Sequence, residues 1–212
     1  MQSSLPTTWP ELHHYARKMD EADPLKRFRK QFRIPVSAEG AEEIYFLGNS
    51  LGLQPVRTAS AIQQILQDWA DWGVEGFFNG RQPWLQFHDR LIQPLARIVG
   101  ALPQEMVVMN QLTVNLHLML VSFYRPTAVR YKIVCERPAF SSDLYMLQTH
   151  IRHLGFSPEE TLLFVNPREG EQHLRTADIV HTIEQNAPAI ALVLLGGVNY
   201  YTVQCLAMPA IT

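Results

Sequence analysis

Three short stretches carry residues whose types and spacing could do chemistry. The first is Gly48-Asn49-Ser50-Leu51-Gly52, which fits the G-x-S-x-G pattern of a serine nucleophile elbow. That chemistry needs a strand before the motif and a helix directly after it, so that Ser50 stands exposed at the strand end. Residues 44–47 read as a short strand, but Leu53-Gln54-Pro55 separates the motif from the next helix. No downstream histidine or aspartate has a distinguishing context. A glycine turn that serves backbone geometry competes with the hydrolase reading.

The second stretch is Met109-Asn110-Gln111-Leu112-Thr113-Val114-Asn115. Here a strand is expected to end and a helix to begin. Free backbone N–H groups at a helix start, with the Thr113 hydroxyl, make an anion site. A threonine N-cap would explain the same residues. The third stretch is Pro138-Ala139-Phe140-Ser141-Ser142-Asp143, again between strand and helix. An aromatic ring there could stack on a planar cofactor and a carboxylate could contact it. Ser141 or Ser142 could instead cap the helix. In an open parallel sheet, ligands bind at the carboxyl ends of strands, where both of these stretches fall.

The histidines point elsewhere. His150 and His153 stand three residues apart on an expected helix, a spacing that can hold a metal. No carboxylate or cysteine nearby completes a ligand set, so they read as surface histidines, and no metal is expected. His13 and His14 form a surface pair, while His88 and His117 read as packed or capping residues. No zinc or EF-hand spacing occurs.

The elements that must position these residues emerge from punctuation and period. Thr8-Trp9-Pro10-Glu11 is a capping-box helix start, and the helix runs to about Met19. Pro24 and Pro35 break the next region into short pieces. Pro55 opens a helical stretch with Ile62, Ile65, Leu66 and Trp69 at helical spacing. Residues 73–83 read as a loop, and 85–99 as a helix that Pro94 could kink. Strands are expected at 131–135, 161–165 and 190–195, the last buried on both faces by its continuous apolar pattern. Helices are expected at 141–154 and 176–185. Strands alternating with helices mean an α/β fold with a mostly parallel sheet. The chain passes directly from the strand at 190–195 into Met208-Pro209-Ala210-Ile211-Thr212, so further strands are expected beyond it.

Composition narrows the function class. Of 212 residues, 47% are hydrophobic and 18% charged, an ordinary globular balance. A net charge of −2 asks for neither nucleic acid nor a membrane surface. The basic run Lys26-Arg27-Phe28-Arg29-Lys30 is short, comes after acidic residues, and reads as a solvated helix face. Two cysteines, Cys135 and Cys205, do not make a disulfide framework. Cys135 falls in an apolar strand, where a buried reduced thiol is expected. No secretory signal is seen at the start, and the longest apolar stretch falls short of the ~20 residues a membrane span needs. A cytoplasmic setting is the expectation.

Taken in order, the motifs resemble the N-terminal half of the kynureninase family. The signature is Tyr45-Phe46-Leu47-Gly48-Asn49-Ser50-Leu51-Gly52-Leu53-Gln54-Pro55. After it come Trp72-Gly73-Val74-Glu75-Gly76, then Arg81-Gln82-Pro83-Trp84, then residues 109–117, then Phe140-Ser141-Ser142-Asp143, and then Gly197-Val198-Asn199-Tyr200-Tyr201-Thr202. The resemblance implies the PLP-dependent transferase-like (fold type I) architecture. Residues 1–55 would form an N-terminal helical segment and arm, and 56–212 the first half of the PLP-binding large domain. It implies pyridoxal 5′-phosphate (PLP) as cofactor, a homodimer, and kynurenine as a small-molecule substrate. The implied reaction is hydrolysis of L-kynurenine or 3-hydroxykynurenine to anthranilate or 3-hydroxyanthranilate plus L-alanine, within tryptophan catabolism and NAD biosynthesis.

Carried over residue by residue, Leu112 and Thr113 would hold the phosphate side. Phe140 would stack on the pyridine ring, and Ser141, Ser142 and Asp143 would line the cofactor. Ser50 and Phe77 would both lie on the substrate side, and Phe77 stands where many members of the family have a histidine. Gly196 replaces a frequent serine or threonine, and Val203 replaces the glycine of Tyr-Thr-Gly-Gln. The family's Schiff-base lysine corresponds to a position beyond residue 212, and Lys18, Lys26, Lys30 and Lys132 do not stand in its context. No catalytic residue is therefore assigned, and the 212 residues alone are expected not to turn over. Two alternatives remain: a dimer-interaction module, and a serine hydrolase using Ser50. A related PLP lyase or aminotransferase would share the fold, but the length of the matched signature argues against it.

Overall fold

The structure, a computed structural model, describes residues 8–212. The described residues divide into two compact units, the first ending at Arg90 and the second spanning Leu91–Thr212. This division falls later in the chain than the expected 55/56 junction.

The first unit begins with α1 (Trp9–Ala22). Thr8 and Glu11 form the expected capping box there, the Thr8 hydroxyl donating to Glu11 Oε2 at 2.7 Å. The basic run at Lys26–Gln31 is an exposed 3₁₀ helix. Two-residue strands β1 (Phe32–Arg33) and β2 (Gln54–Pro55) pair antiparallel. Then comes α2 (Thr58–Trp72), closed by Gly73 at φ +53°, a conformation that favours glycine. Residues 44–47, expected as a strand, are irregular. They lead into a turn in which the Ser50 and Leu51 N–H groups both donate to the Leu47 carbonyl. The turn takes the Leu47 carbonyl, and no partner strand pairs with residues 44–47.

The helix expected at 85–99 starts later, as α3 (Asp89–Val99), and accommodates Pro94. In the second unit α4 (Leu112–Phe123) precedes β3 (Lys132–Glu136). Next come α5 (Ser141–His153), the short α6 (Pro158–Thr161) and β4 (Leu162–Val165). The unit continues with α7 (Thr176–Asn186), β5 (Ile190–Leu194) and α8 (Met208–Ile211). The sheet is parallel with order β4-β3-β5, so β3 is central. No strand directly precedes α4, contrary to expectation; residues 106–109 are irregular and pair with no strand.

Alternation along β3 sorts the core onto its two faces. Ile133 and Cys135 pack with Leu120 of α4 and its C-cap residue Tyr124, with Met146, Leu147 and Ile151 of α5, and with Leu162. Val134 packs with Val165, Leu174, Ile179 of α7, Ile190 and Leu206 on the other side. Side chains of this kind contribute roughly 1.5–3 kcal/mol each when fully buried. The continuous apolar run of β3 is thus explained by helices on both faces. The same logic fails for β5, expected to be buried on both faces. Among the described residues it pairs only with β3, and Val193 is 38% exposed.

Candidate functional site

The carboxyl end of β3 and the starts of α4 and α5 converge in the second unit. Glu136 ends the strand, and Phe140 is the N-cap residue of α5, with extended backbone and no side-chain capping bond. Ser141, Ser142 and Asp143 form the first helical turn. Gln111 is the N-cap residue of α4, also without a side-chain capping bond, so Leu112 and Thr113 open that helix. None of the three hydroxyls of Thr113, Ser141 and Ser142 is an N-cap, which removes the capping explanation for these stretches.

What the fold does with two of them is specific. The Thr113 hydroxyl donates to Ser142 Oγ at 3.3 Å, across 29 positions of sequence, and Ser142 Oγ donates to Asp143 Oδ1 at 3.3 Å. Two helix starts therefore present a hydroxyl pair beside unsatisfied backbone N–H groups, the arrangement an anion needs. An open groove of about 500 Å³ continues from the pair between α4 and α5, lined by Thr113, His117, Ser142, Tyr145 and Thr149 among others. Phe140 is 48% exposed, so its ring is open to a ligand. Tyr200 lies edge-to-face with it at a centroid distance of 5.0 Å.

Sequence reasoning assigns no roles to Glu136, Asn199 and Tyr200, although Asn199 and Tyr200 stand within a quoted motif. A signal is present for Glu136: a carboxylate closing an apolar parallel strand. It is 8% exposed, and Oε2 accepts the Gly196 N–H at 3.1 Å. Burial raises its pKa above the ordinary carboxylate value, opposed by hydrogen bonds from Gly196 and Asn199. Asn199 is buried, donates to the Pro138 carbonyl at 3.0 Å, and accepts the N–H groups of Tyr201 and Thr202.

His150 corrects an expectation: it is buried, at 5% exposure, not a surface histidine. Its ring meets His117 edge-to-face at 5.4 Å and Tyr124 at 6.1 Å. Burial, with the neighbouring His117 and His153, lowers its pKa. Among the described residues no group of three or more His, Cys, Asp or Glu side chains could hold a metal ion. Cys135 is a buried free thiol pushed up to about 12 by burial, and Cys205 is free and exposed.

In the first unit, Ser50 is exposed within its turn, with no strand directly before it and no helix until Thr58. The strand–serine–helix geometry of a nucleophile elbow is absent, which sets the serine-hydrolase alternative aside. Phe77 packs edge-to-face on Trp84 at 5.5 Å. Gly76 is required between them, since a Cβ there would lie 2.7 Å from the Trp84 ring.

No family model matches the chain. In structure it is similar to a PLP enzyme of fold type I, a lysine-to-alanine mutant of C-DES with glycine covalently linked to its PLP cofactor. The TM-score is 0.63 over 86% of this chain and 44% of that one, at 19% identity, a likeness of fold alone. In sequence the resemblance is to kynureninases. The chain is 49% identical to the kynureninase of Myxococcus xanthus over 98% of its own length and 49% of the relative's. The kynureninases of Flavobacterium johnsoniae and Nematostella vectensis are each 46% identical, over 97% and 93% of this chain. The chain spans about half the length of the curated relatives it matches.

Proposed function

We propose that this chain supplies a cofactor-binding wall of a kynureninase-type hydrolase. The reaction is cleavage of L-kynurenine or 3-hydroxykynurenine to anthranilate or 3-hydroxyanthranilate plus L-alanine. The observation that carries the reading is the meeting of Thr113 and Ser142 at 3.3 Å beside an exposed Phe140, in a chain 49% identical to a kynureninase.

These residues fit PLP. The two hydroxyls and the first N–H groups of α4 suit its phosphate, Phe140 suits its planar ring, and Asp143 adds a carboxylate at the same helix start. When bound, PLP supplies the electron sink for bond cleavage. The second unit's own part is to hold the phosphate and orient the ring; for Ser50 and Phe77 a role on the substrate side rests on the resemblance alone. Lys132 begins β3, at the end of the strand away from Phe140, and is not the cofactor's covalent partner. The reading includes a cytoplasmic homodimer, supported by the resemblance and, for location, by the free thiols of Cys135 and Cys205. No helix among the described residues is long and apolar enough to cross a membrane.

Titrating PLP into the purified chain, monitored by the cofactor's own absorbance, tests the proposal. Saturable binding is expected, with borohydride leaving the cofactor unlinked. Thr113→Val is expected to weaken binding roughly tenfold or more, since a hydrogen bond to a charged group is worth about 1.5–3 kcal/mol. Binding that never saturates, or is indifferent to Thr113→Val, defeats the proposal.

A further inference from the structure

We propose that Glu136 is a positioning residue: its carboxylate ties the loop after β5 to the end of β3, and this tie sets Phe140 against Tyr200. The proposal rests on the reading of Phe140 as the residue that meets the cofactor ring.

Two loops leave the carboxyl ends of adjacent parallel strands here, and hydrogen bonds stitch them together. Glu136 Oε2 accepts the Gly196 N–H at 3.1 Å, and Asn199 Nδ2 donates to the Pro138 carbonyl at 3.0 Å. Both side chains are more than nine-tenths buried, Glu136 at 8% and Asn199 at 3% exposure. Asn199 Oδ1 then folds the next turn back by accepting the Tyr201 and Thr202 N–H groups and the Thr202 hydroxyl. Phe140 lies two residues beyond Pro138, and Tyr200 is the residue after Asn199. The ring pair is thus fixed from both sides by polar groups that water would loosen.

The tie also accounts for a departure from the family pattern. A Cβ added at Gly196 would lie 3.0 Å from Glu136 Oε1 and 3.4 Å from the Val198 carbonyl oxygen. A serine or threonine side chain there would press on the carboxylate and displace it by a few tenths of an ångström. Glycine at 196 and glutamate at 136 are one device: the bare backbone lets the carboxylate approach close enough to accept its N–H.

The test is NMR on the whole 212-residue chain without cofactor, so it stands apart from the PLP titration. The readouts are hydrogen exchange of the Gly196 amide and the nuclear Overhauser contact between the Phe140 and Tyr200 rings. In the unaltered chain the amide is protected and the ring contact present. Glu136→Ala is expected to speed Gly196 exchange by about tenfold or more and to abolish the ring contact. Glu136→Asp keeps the charge but withdraws the oxygens by one methylene, and should show the same loss. Glu136→Gln keeps an acceptor at full length and should restore both signals to within about twofold. Gly196→Ala should lose the ring contact alone, yet add nothing in the Glu136→Ala background, because the two act through one contact. An unprotected Gly196 amide in the unaltered chain overturns the proposal. So does a ring contact that survives Glu136→Asp in a folded protein. Failure of PLP to bind, with both NMR signals behaving as expected, would sink the proposed function and leave the tie standing.

Discussion

The two units spend their apolar residues differently. In the second, β3 is sandwiched between α4 and α5 on one face and α7 on the other, and Ile133, Val134, Leu147, Ile151 and Ile179 are inaccessible. In the first, the buried residues among those described are Asp68 and Gly76, while Ile44 and Phe46 are 86% and 88% exposed. Both contain amphipathic helices of similar length. The difference is the parallel sheet, which gives helices two opposed apolar faces to pack on, whereas a two-residue ribbon gives none. Order at the candidate site is a consequence: hydroxyls on α4 and α5 can be aligned to within hydrogen-bonding distance because a shared core fixes those helices.

The largest expected effect tests that contrast directly. Leu147→Ala, in the core beneath α5, should cost about 2–5 kcal/mol in urea unfolding, through lost transfer energy and the cavity left behind. Phe46→Ala, in the first unit, should fall within about ±0.5 kcal/mol. Equal costs at the two positions would mean that the first unit has a core of its own.

A smaller effect, of opposite sign, comes from the loop that closes the second unit. Val203 has φ +58°, a conformation that costs an L-residue roughly 1–2 kcal/mol and suits β-branched side chains least. Its N–H still donates to the Asn199 carbonyl at 3.0 Å, so the turn over-determines the strained residue. This is the position where the family pattern has glycine. Val203→Gly should therefore stabilise the chain by about 1 kcal/mol, measured by thermal or urea unfolding, less the extra backbone entropy that glycine loses. A destabilised Val203→Gly would show that the side chain contributes packing its 74% exposure does not suggest.

Much of the second unit is legible in the sequence because its signals are local and repeated. Residues 132–136, 141–153, 162–165, 176–186 and 190–194 fold within a residue or two of the pattern reading. Where reading fails, a non-local fact decides. A single apolar run cannot tell a central strand from an edge strand, which is why the pattern of β5 suggests burial on both faces. The apolar residues 44–47 resemble a strand, but no partner strand pairs with them and a turn takes the Leu47 carbonyl. His150 resembles a surface residue beside His153, yet one helical face turns toward α4 and the other does not. At the site, residue types at Thr113, Phe140 and Ser142 are visible in the sequence. The 3.3 Å approach of two hydroxyls 29 positions apart is not, because only the packing of α4 on α5 creates it. The Gly196 partner of Glu136 lies 60 positions away and leaves no local trace.

The smallest effect concerns pH, and it divides the units once more. In the second unit the buried His150 and Glu136 shift in opposite senses. Burial lowers the His150 pKa, assisted by His117 and His153, with Tyr124 the other ring against it. The unfolded chain then takes up this proton first, so stability falls as pH drops through the ordinary histidine value of 6.5 and further until the folded pKa is passed. Burial raises the Glu136 pKa, so the folded state holds that proton more tightly than the unfolded one. Its cost appears as pH rises from the ordinary value of 4.5 toward the folded pKa, and persists above it. His150→Gln should flatten the loss of stability below pH 6.5. Glu136→Gln, which keeps an acceptor for Gly196, should raise stability at neutral pH and lose that advantage below pH 4.5. Urea midpoints measured at several pH values check both. A His150→Gln profile with the slope of the unaltered chain would place the titration elsewhere. The exposed Glu39, whose pKa is lowered by its hydrogen bond to Ser37, is the counterpart in the first unit. Its shift has the opposite sense to that of Glu136, with stability lost as pH falls below 4.5, and at a solvent-screened site Glu39→Gln should change the profile less than either buried replacement.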